Sequence, residues 1–156
     1  MKHPFEREDD GFRVRLGPNE RTVIRSLAGQ HRELLIAESP SSDPAVARLF
    51  PSAYPDDPLR SLEFEQATGG ALLDGRLQAA STVESTADAD TLTEEHVLQW
   101  LAVVNDLRLV LGTRLEVTEE TTEEDFTGDE ERSGAYDLYA FLTWLESEII
   151  EVLPVG

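Results

Sequence analysis

The residues with the spacing closest to a binding site lie between Glu116 and Glu131, where nine acids occur and no base: Glu116, Glu119, Glu120, Glu123, Glu124, Asp125, Asp129, Glu130 and Glu131. Read as a calcium loop from Glu123, the stretch puts Asp125 third, Thr127 fifth and Gly128 sixth, where the sharp turn wants glycine. The twelfth position should supply a bidentate glutamate and holds Gly134, while the first is Glu rather than Asp. The strongest ligand is missing, so the stretch reads as a solvated acidic loop. Three histidines, His3, His31 and His96, stand at no metal-ligand spacing, and His31-Arg32-Glu33-Leu34-Leu35 lacks the second histidine of a zinc-protease helix. No resident metal and no cofactor is expected. Cysteine is absent, which excludes thiolate catalysis, disulfides and sulfur-held zinc. Nucleophile-elbow, dinucleotide and phosphate-loop patterns are absent too. Catalytic residues: none are assigned.

Arg13, Arg15, Arg21, Arg25 and Arg32 form the one basic cluster. Arg13 and Arg15 share a strand face, and Arg21, Arg25 and Arg32 fall within about 40° of one another around a helix. They are the candidate partner-binding residues, with internal pairing to the acidic half as the plainer alternative. Asn105, Asp106 and Arg108 interrupt an otherwise apolar helix. Polar groups near a core persist only when partnered, so a network with Asp137 on the last helix, spanned by Arg108, is expected in preference to a ligand site.

These residues have to be positioned by mostly helical elements. Phe12 to Leu16 alternates apolar and polar like a half-buried strand and ends at Gly17-Pro18. Asn19 can cap a helix to about Glu38; a short helical turn follows at Ala45 to Phe50. Asp56 or Asp57 can cap a helix that starts near Pro58, falters at Gly69-Gly70 and resumes from Leu72 to Val83. Thr93-Glu94-Glu95 opens the clearest helix, with Gly112 as its stop. The last helix covers about Ser133 to Leu153. The fold class expected is therefore mostly α: a small bundle of about four helices in a single domain over 1–156, with a short N-terminal strand pairing with Leu115 to Thr118. Residues 1–11, 39–44 and 116–132 read as mobile segments, the last an acidic flexible loop.

The last helix is apolar nearly all round, which requires cover on more than one side. Tyr136, Tyr139, Phe141 and Trp144 are the expected face of a homodimer; a central place in the bundle is the alternative.

Charge separates the halves of the chain. Residues 1–78 hold 10 Lys+Arg against 13 Asp+Glu, residues 79–156 hold 3 against 19, and the net is −19. Such a body opposes the approach of a polyanion, so direct nucleic-acid binding is disfavoured and a protein partner favoured. No apolar stretch is long enough for a membrane span, and residues 1–11 have no apolar signal core, so the location expected is cytoplasmic.

Two stretches, Leu49-Phe50-Pro51-Ser52-Ala53-Tyr54-Pro55-Asp56-Asp57-Pro58 and Trp100 to Leu115 with its Asn105-Asp106-Leu107-Arg108 centre, carry a resemblance. The chain is similar over nearly its whole length to an actinobacterial family long grouped as a domain of unknown function. Members of that family are often labelled oxidative-stress transcriptional regulators. The resemblance implies a small cytoplasmic helical protein that modulates transcription through a protein partner such as a sigma factor or another transcription component. It brings no active site with it. Without cysteine, direct thiol sensing is not the response mechanism. A non-enzymatic regulatory or adaptor protein is the leading expectation; the rivals are a carboxylate-based metal-dependent hydrolase and a direct DNA-binding regulator.

Overall fold

A computed structural model describes residues 3–39, 42–50, 54–68 and 70–154, without the side chains of 65, 66 and 68. Pro40, Ser41, Pro51 to Ala53 and Gly69, which include parts of the expected 39–44 loop and of the Leu49–Pro58 stretch, lie outside the described residues, as do Met1 and Lys2. Six α-helices and a three-stranded antiparallel sheet are present among the described residues. That is more helices than the four expected, because the Gly69-Gly70 break divides one helix in two and a four-residue helix is added at Pro44–Ala47.

Strands β1 (Phe5–Glu8) and β2 (Gly11–Val14) form a hairpin, and β3 (Thr91–Leu92) joins the other edge of β2. Phe5 faces Val14 and Phe12 faces Leu92, and all four side chains are buried. Alternation along the strands thus sends one face into the core. Gly11 is required at its place: its φ is +151°, and an added Cβ would lie 2.5 Å from the Leu92 carbonyl oxygen. The expected pairing with Leu115 to Thr118 is corrected; the partner is the short strand just before the Thr93 helix. The N-terminal segment expected as mobile contains β1.

Helix α1 (Pro18–Ala37) starts with proline at its first position, and Glu20 Oε1 accepts the Gly17 N–H at 2.9 Å. Asn19 is therefore inside the first turn rather than its cap. Asp43 caps α2 (Pro44–Ala47) by accepting the Ala45 N–H at 2.8 Å. Helices α3 (Pro58–Thr68) and α4 (Ala71–Thr86) are separated where the glycine pair was expected to interrupt, with Gly70 at φ +78°. In α5 (Glu94–Leu115), Thr93 Oγ1 accepts the His96 N–H. That helix runs past Gly112 and ends at Glu116, in the left-handed region at φ 56°. Gly112 has a different use: an added Cβ would meet the Tyr139 ring at 3.3 Å, so the glycine lets two helices approach. Asp129 caps α6 (Glu130–Val152), which begins three residues earlier than expected.

Helix α4 lies between α1 and α5, and α5 between α4 and α6. The main core joins the sheet to these helices around Trp100, whose indole N–H donates to Thr86 Oγ1 at 2.8 Å and whose ring meets the Phe5 ring edge-on. A second cluster, Leu35, Ala45, Leu49 and Val110, joins the end of α1 to α2 and α5.

Candidate functional site

Helix α3 has an unusual composition for its setting. Its described apolar side chains point to solvent, with Leu59 66 % exposed, Leu62 49 % and Phe64 43 %, and Leu72 at the start of α4 is 56 % exposed. The one buried side chain among those described in α3 is polar: Ser61 Oγ donates to the Tyr54 carbonyl at 2.8 Å and accepts the Tyr54 N–H at 3.0 Å. Phe64 contacts the Tyr54 ring edge-on, and the Arg60 guanidinium lies 4.5 Å from that ring's centre. The helix is thus held by its N-terminal turn and presents leucines outward. Asp56, Asp57, Glu63 and Asp74 flank these leucines in sequence, against Arg60. A leucine-bearing surface with an acidic border suits a basic, apolar partner segment. Sequence reading missed it, because short helices are assumed to bury their leucines.

The interior also holds a buried polar network. Asp106 accepts from His31 Nε2 at 3.3 Å and from Arg76 Nη1, and Arg76 Nη2 donates to the Leu49 carbonyl at 2.7 Å. His31 and Asp106 are buried, and the Arg76 guanidinium also lies 5.3 Å from the centre of the Phe50 ring. His31 Nδ1 and Arg76 Nε are buried with no hydrogen-bond partner among the described residues. The network ties α1, α4, α5 and the end of α2 together, consistent with paired charges in an interior. Asp106 stands out in the sequence as a charge within an apolar helix; Arg76 does not, since nothing local distinguishes it from a surface arginine.

The remaining expected network is corrected in part. Arg108 does cross to α6, but to Thr143 Oγ1 (3.0 Å) and Glu146 Oε2 (3.1 Å), with its guanidinium over the Tyr139 ring. Tyr139, Thr143 and Glu146 share one helix face at i, i+4 and i+7, whereas Asp137 falls about 200° from Tyr139 and is exposed, as is Asn105.

Each of the five arginines has an internal partner. Arg13 pairs with Glu8 and Arg15 with Glu6 across the β1–β2 hairpin; Arg25 pairs with Asp88. Arg32 binds Glu84 through two nitrogens, which raises its pKa from the usual arginine value. Arg21 donates to four backbone carbonyls, those of Leu16, Ala87, Ala89 and Val14, and so fastens the loop before β3 to the start of α1. Replacing Arg21 by alanine is expected to cost about 1.5–3 kcal/mol, the usual range for hydrogen bonds to a charged group. Lysine should recover only part of this, because one ammonium cannot span four carbonyls. Urea unfolding of both variants checks the order.

Cover for α6 comes from several sides. Its neighbours are α5, β1 and a 3-10 turn at Glu123–Phe126. Phe126, in the middle of the acidic stretch, is buried and stacks on Tyr136, which stacks on Tyr139; the Arg132 guanidinium lies over Phe126. Asp125 accepts the Thr122 N–H at 2.9 Å, so this carboxylate closes a turn. The segment expected to be an acidic flexible loop has an apolar anchor in Phe126. Phe141 and Trp144 pair with each other, and Trp144 is 39 % exposed.

A cleft of about 370 Å³ separates the C-terminal half of α1 from α5, lined by Leu27, His31, Leu34, Leu107, Val110 and Leu111. At its rim Arg114 binds Asp43, whose pKa is lowered first by the Ala45 N–H and then by Arg114, against the opposing effect of burial. At the other end of the molecule His3 Nδ1 lies 2.8 Å from Glu148 Oε2, and Glu148 with Glu151 raises the imidazole pKa above its ordinary value.

A helical chain with this sheet, acidic stretch and central α5 matches, over residues 2–153, the model of a domain of unknown function, DUF2017. The chain belongs to the DUF2017 family. Relatives from Mycobacterium tuberculosis and Mycobacterium bovis, each named oxidative stress regulator AosR, are 28 % identical over 184 aligned positions. The alignment covers 94 % of this chain and 84 % of theirs. A Mycobacterium leprae relative is 28 % identical, over 91 % of this chain and 82 % of its own. No solved structure matches. No helix among the described residues is long and apolar enough to cross a membrane.

Proposed function

We propose that this DUF2017 protein is a non-enzymatic cytoplasmic regulator that modulates transcription by seating a protein partner against α3. The observation that carries the reading is the outward display of Leu59, Leu62, Phe64 and Leu72. Leaving several large apolar side chains in water forgoes roughly 1.5–3 kcal/mol each, which a partner recovers on binding. The net charge of −19 selects the partner's chemistry: a basic amphipathic segment, as a sigma factor or another DNA-associated transcription component presents. Attraction of this sign speeds encounter and weakens as salt rises. The name shared by the relatives supports a stress-linked role. The arginines add less, since partner contact there would have to displace existing ion pairs. Self-association through α6 is the secondary reading: with Tyr136 and Tyr139 stacked internally, a homodimer there relies on Trp144 and Ile150, against the charge of two such chains.

The test is capture from the native cell followed by titration with each captured transcription protein. The double variant Leu59→Glu/Leu62→Glu is expected to lose the partner at least about tenfold, the equivalent of 1.4 kcal/mol, with unfolding free energy within about 0.5 kcal/mol of the parent. Equal retention of the same transcription protein by parent and variant would overturn the α3 assignment. Sequence-dependent binding of promoter DNA by the isolated protein at physiological salt would overturn the protein-partner reading.

A further inference from the structure

We propose that His3, Glu148 and Glu151 form a binding site for a divalent transition metal of the zinc type, fastening the N-terminal strand to the last helix. One ligand atom from each residue lies within 4.8 Å of the other two. Among the described residues this is the one group of three potential ligands that comes together, although the chain holds 32 acids. His3 is 145 or more positions from the two glutamates in sequence, and their meeting does not depend on a metal. Strand β1 lies against α6, and Arg7 Nη2 donates to the Val152 carbonyl at 2.9 Å, which closes the end of the helix onto the strand. Glu148 and Glu151 are three apart on α6 and so share a face. The backbone places the donors before any ion arrives.

Local electrostatics independently favours a cation there. Both carboxylates are in the C-terminal part of α6, the negative end of the helix dipole, where lysine, arginine or protonated histidine is the usual choice. The last turn of α6 contains no basic residue. Two carboxylates at a negative helix end repel each other and the terminal carbonyls, and a bound cation relieves both effects. The nearby arginine is no substitute, since Arg7 is engaged with the Val152 carbonyl.

The donor set indicates which cation. One imidazole nitrogen with two carboxylates suits zinc and its neighbours, whereas calcium and magnesium take oxygen ligands throughout. Zinc bonds of about 2.0–2.2 Å put tetrahedral donors roughly 3.3–3.5 Å apart. His3 Nδ1 and Glu148 Oε2, now 2.8 Å apart, would separate slightly to admit the ion, and Glu151 would draw in. His3 is largely exposed, so its ring is free to make that adjustment. Three protein ligands leave a tetrahedral position for water. The inference does not depend on the α3 reading.

The test is calorimetric titration of Zn²⁺ into the full chain, with cobalt substitution read by visible absorption. One ion per chain is expected. His3→Ala, Glu148→Gln and Glu151→Gln should each weaken binding by about tenfold or more, since even loss of an outer partner of a ligand costs that much. A control, Glu123→Gln/Glu124→Gln, removes the same kind of charge from the acidic stretch and should leave the affinity within about threefold, because at that distance only the general field changes. Cobalt should give the intense visible bands of a tetrahedral site in the parent and lose them in His3→Ala. The fold is checked by circular dichroism; the His3 side chain is largely exposed. Absence of binding, affinity unchanged in the three ligand variants, or an equal loss in the control would overturn the site.

Discussion

Replacing Asp106 by alanine is expected to destabilise the protein by about 3–5 kcal/mol, the range for breaking a buried ion pair from one side. The Asp106 carboxylate is enclosed and holds both His31 and Arg76. Without it, Arg76 keeps its bond to the Leu49 carbonyl but loses its counter-charge, and His31, fully enclosed, loses its single observed partner. Water reaches part of the arginine, so the lower end of the range applies if the guanidinium turns outward. Urea unfolding with an unchanged slope measures the loss. A change below about 1 kcal/mol would contradict the claim that this network holds α1, α4 and α5 together. Asp106→Leu combined with Arg76→Met should be milder than Asp106→Ala, because apolar replacement of both partners removes the unpaired charge. A double-mutant cycle on the two positions isolates their coupling.

Trp100→Ala is the other large effect, again about 3–5 kcal/mol. The ring is completely buried among α4, α5 and the sheet, so truncation leaves a cavity where Phe5 and Thr86 now make contact. Trp100→Phe keeps most of the volume and loses the N–H bond to Thr86, for a cost nearer 1–3 kcal/mol. Against a domain stability of about 5–15 kcal/mol, the alanine variant should fold only marginally at growth temperature. Calorimetric melting of both variants checks the order. Fluorescence provides a second reading: the chain has two tryptophans, and with Trp144→Phe the remaining emission should be that of an enclosed indole, shifting to the red only as the core unfolds.

Much of the local structure could be read from residue types. The division between α3 and α4 falls where the glycine pair predicts an interruption, with Gly70 in the left-handed region that glycine adopts without strain. Alternation from Phe12 to Leu16 predicts a strand, of which the part up to Val14 pairs in the sheet, and the acids after Thr93 mark a helix start. Gly112 does not stop α5, which continues to Leu115. A glycine near a helix end usually stops it, but here its missing side chain makes room for Tyr139, a residue 27 positions away. Likewise, Arg108 reaches α6, but its partners there, Thr143 and Glu146, depend on which face of α6 turns inward.

By itself the sequence determined what depends on neighbours along the chain and on totals: a mostly helical chain, the uneven charge, the absence of thiol chemistry and the family. Helix propensity, caps and net charge are local or additive, so they survive without knowledge of the fold. The tertiary structure decided whatever joins distant residues: the pairing of β2 with β3, the enclosure of Asp106 by His31 and Arg76, and the anchoring of the acidic stretch through Phe126. It also left the leucines of α3 outside and brought His3 to Glu148 and Glu151. Contacts of this kind depend on how whole elements share one core. An arginine that closes a buried network and one that faces water have the same local sequence signature, and packing alone separates them.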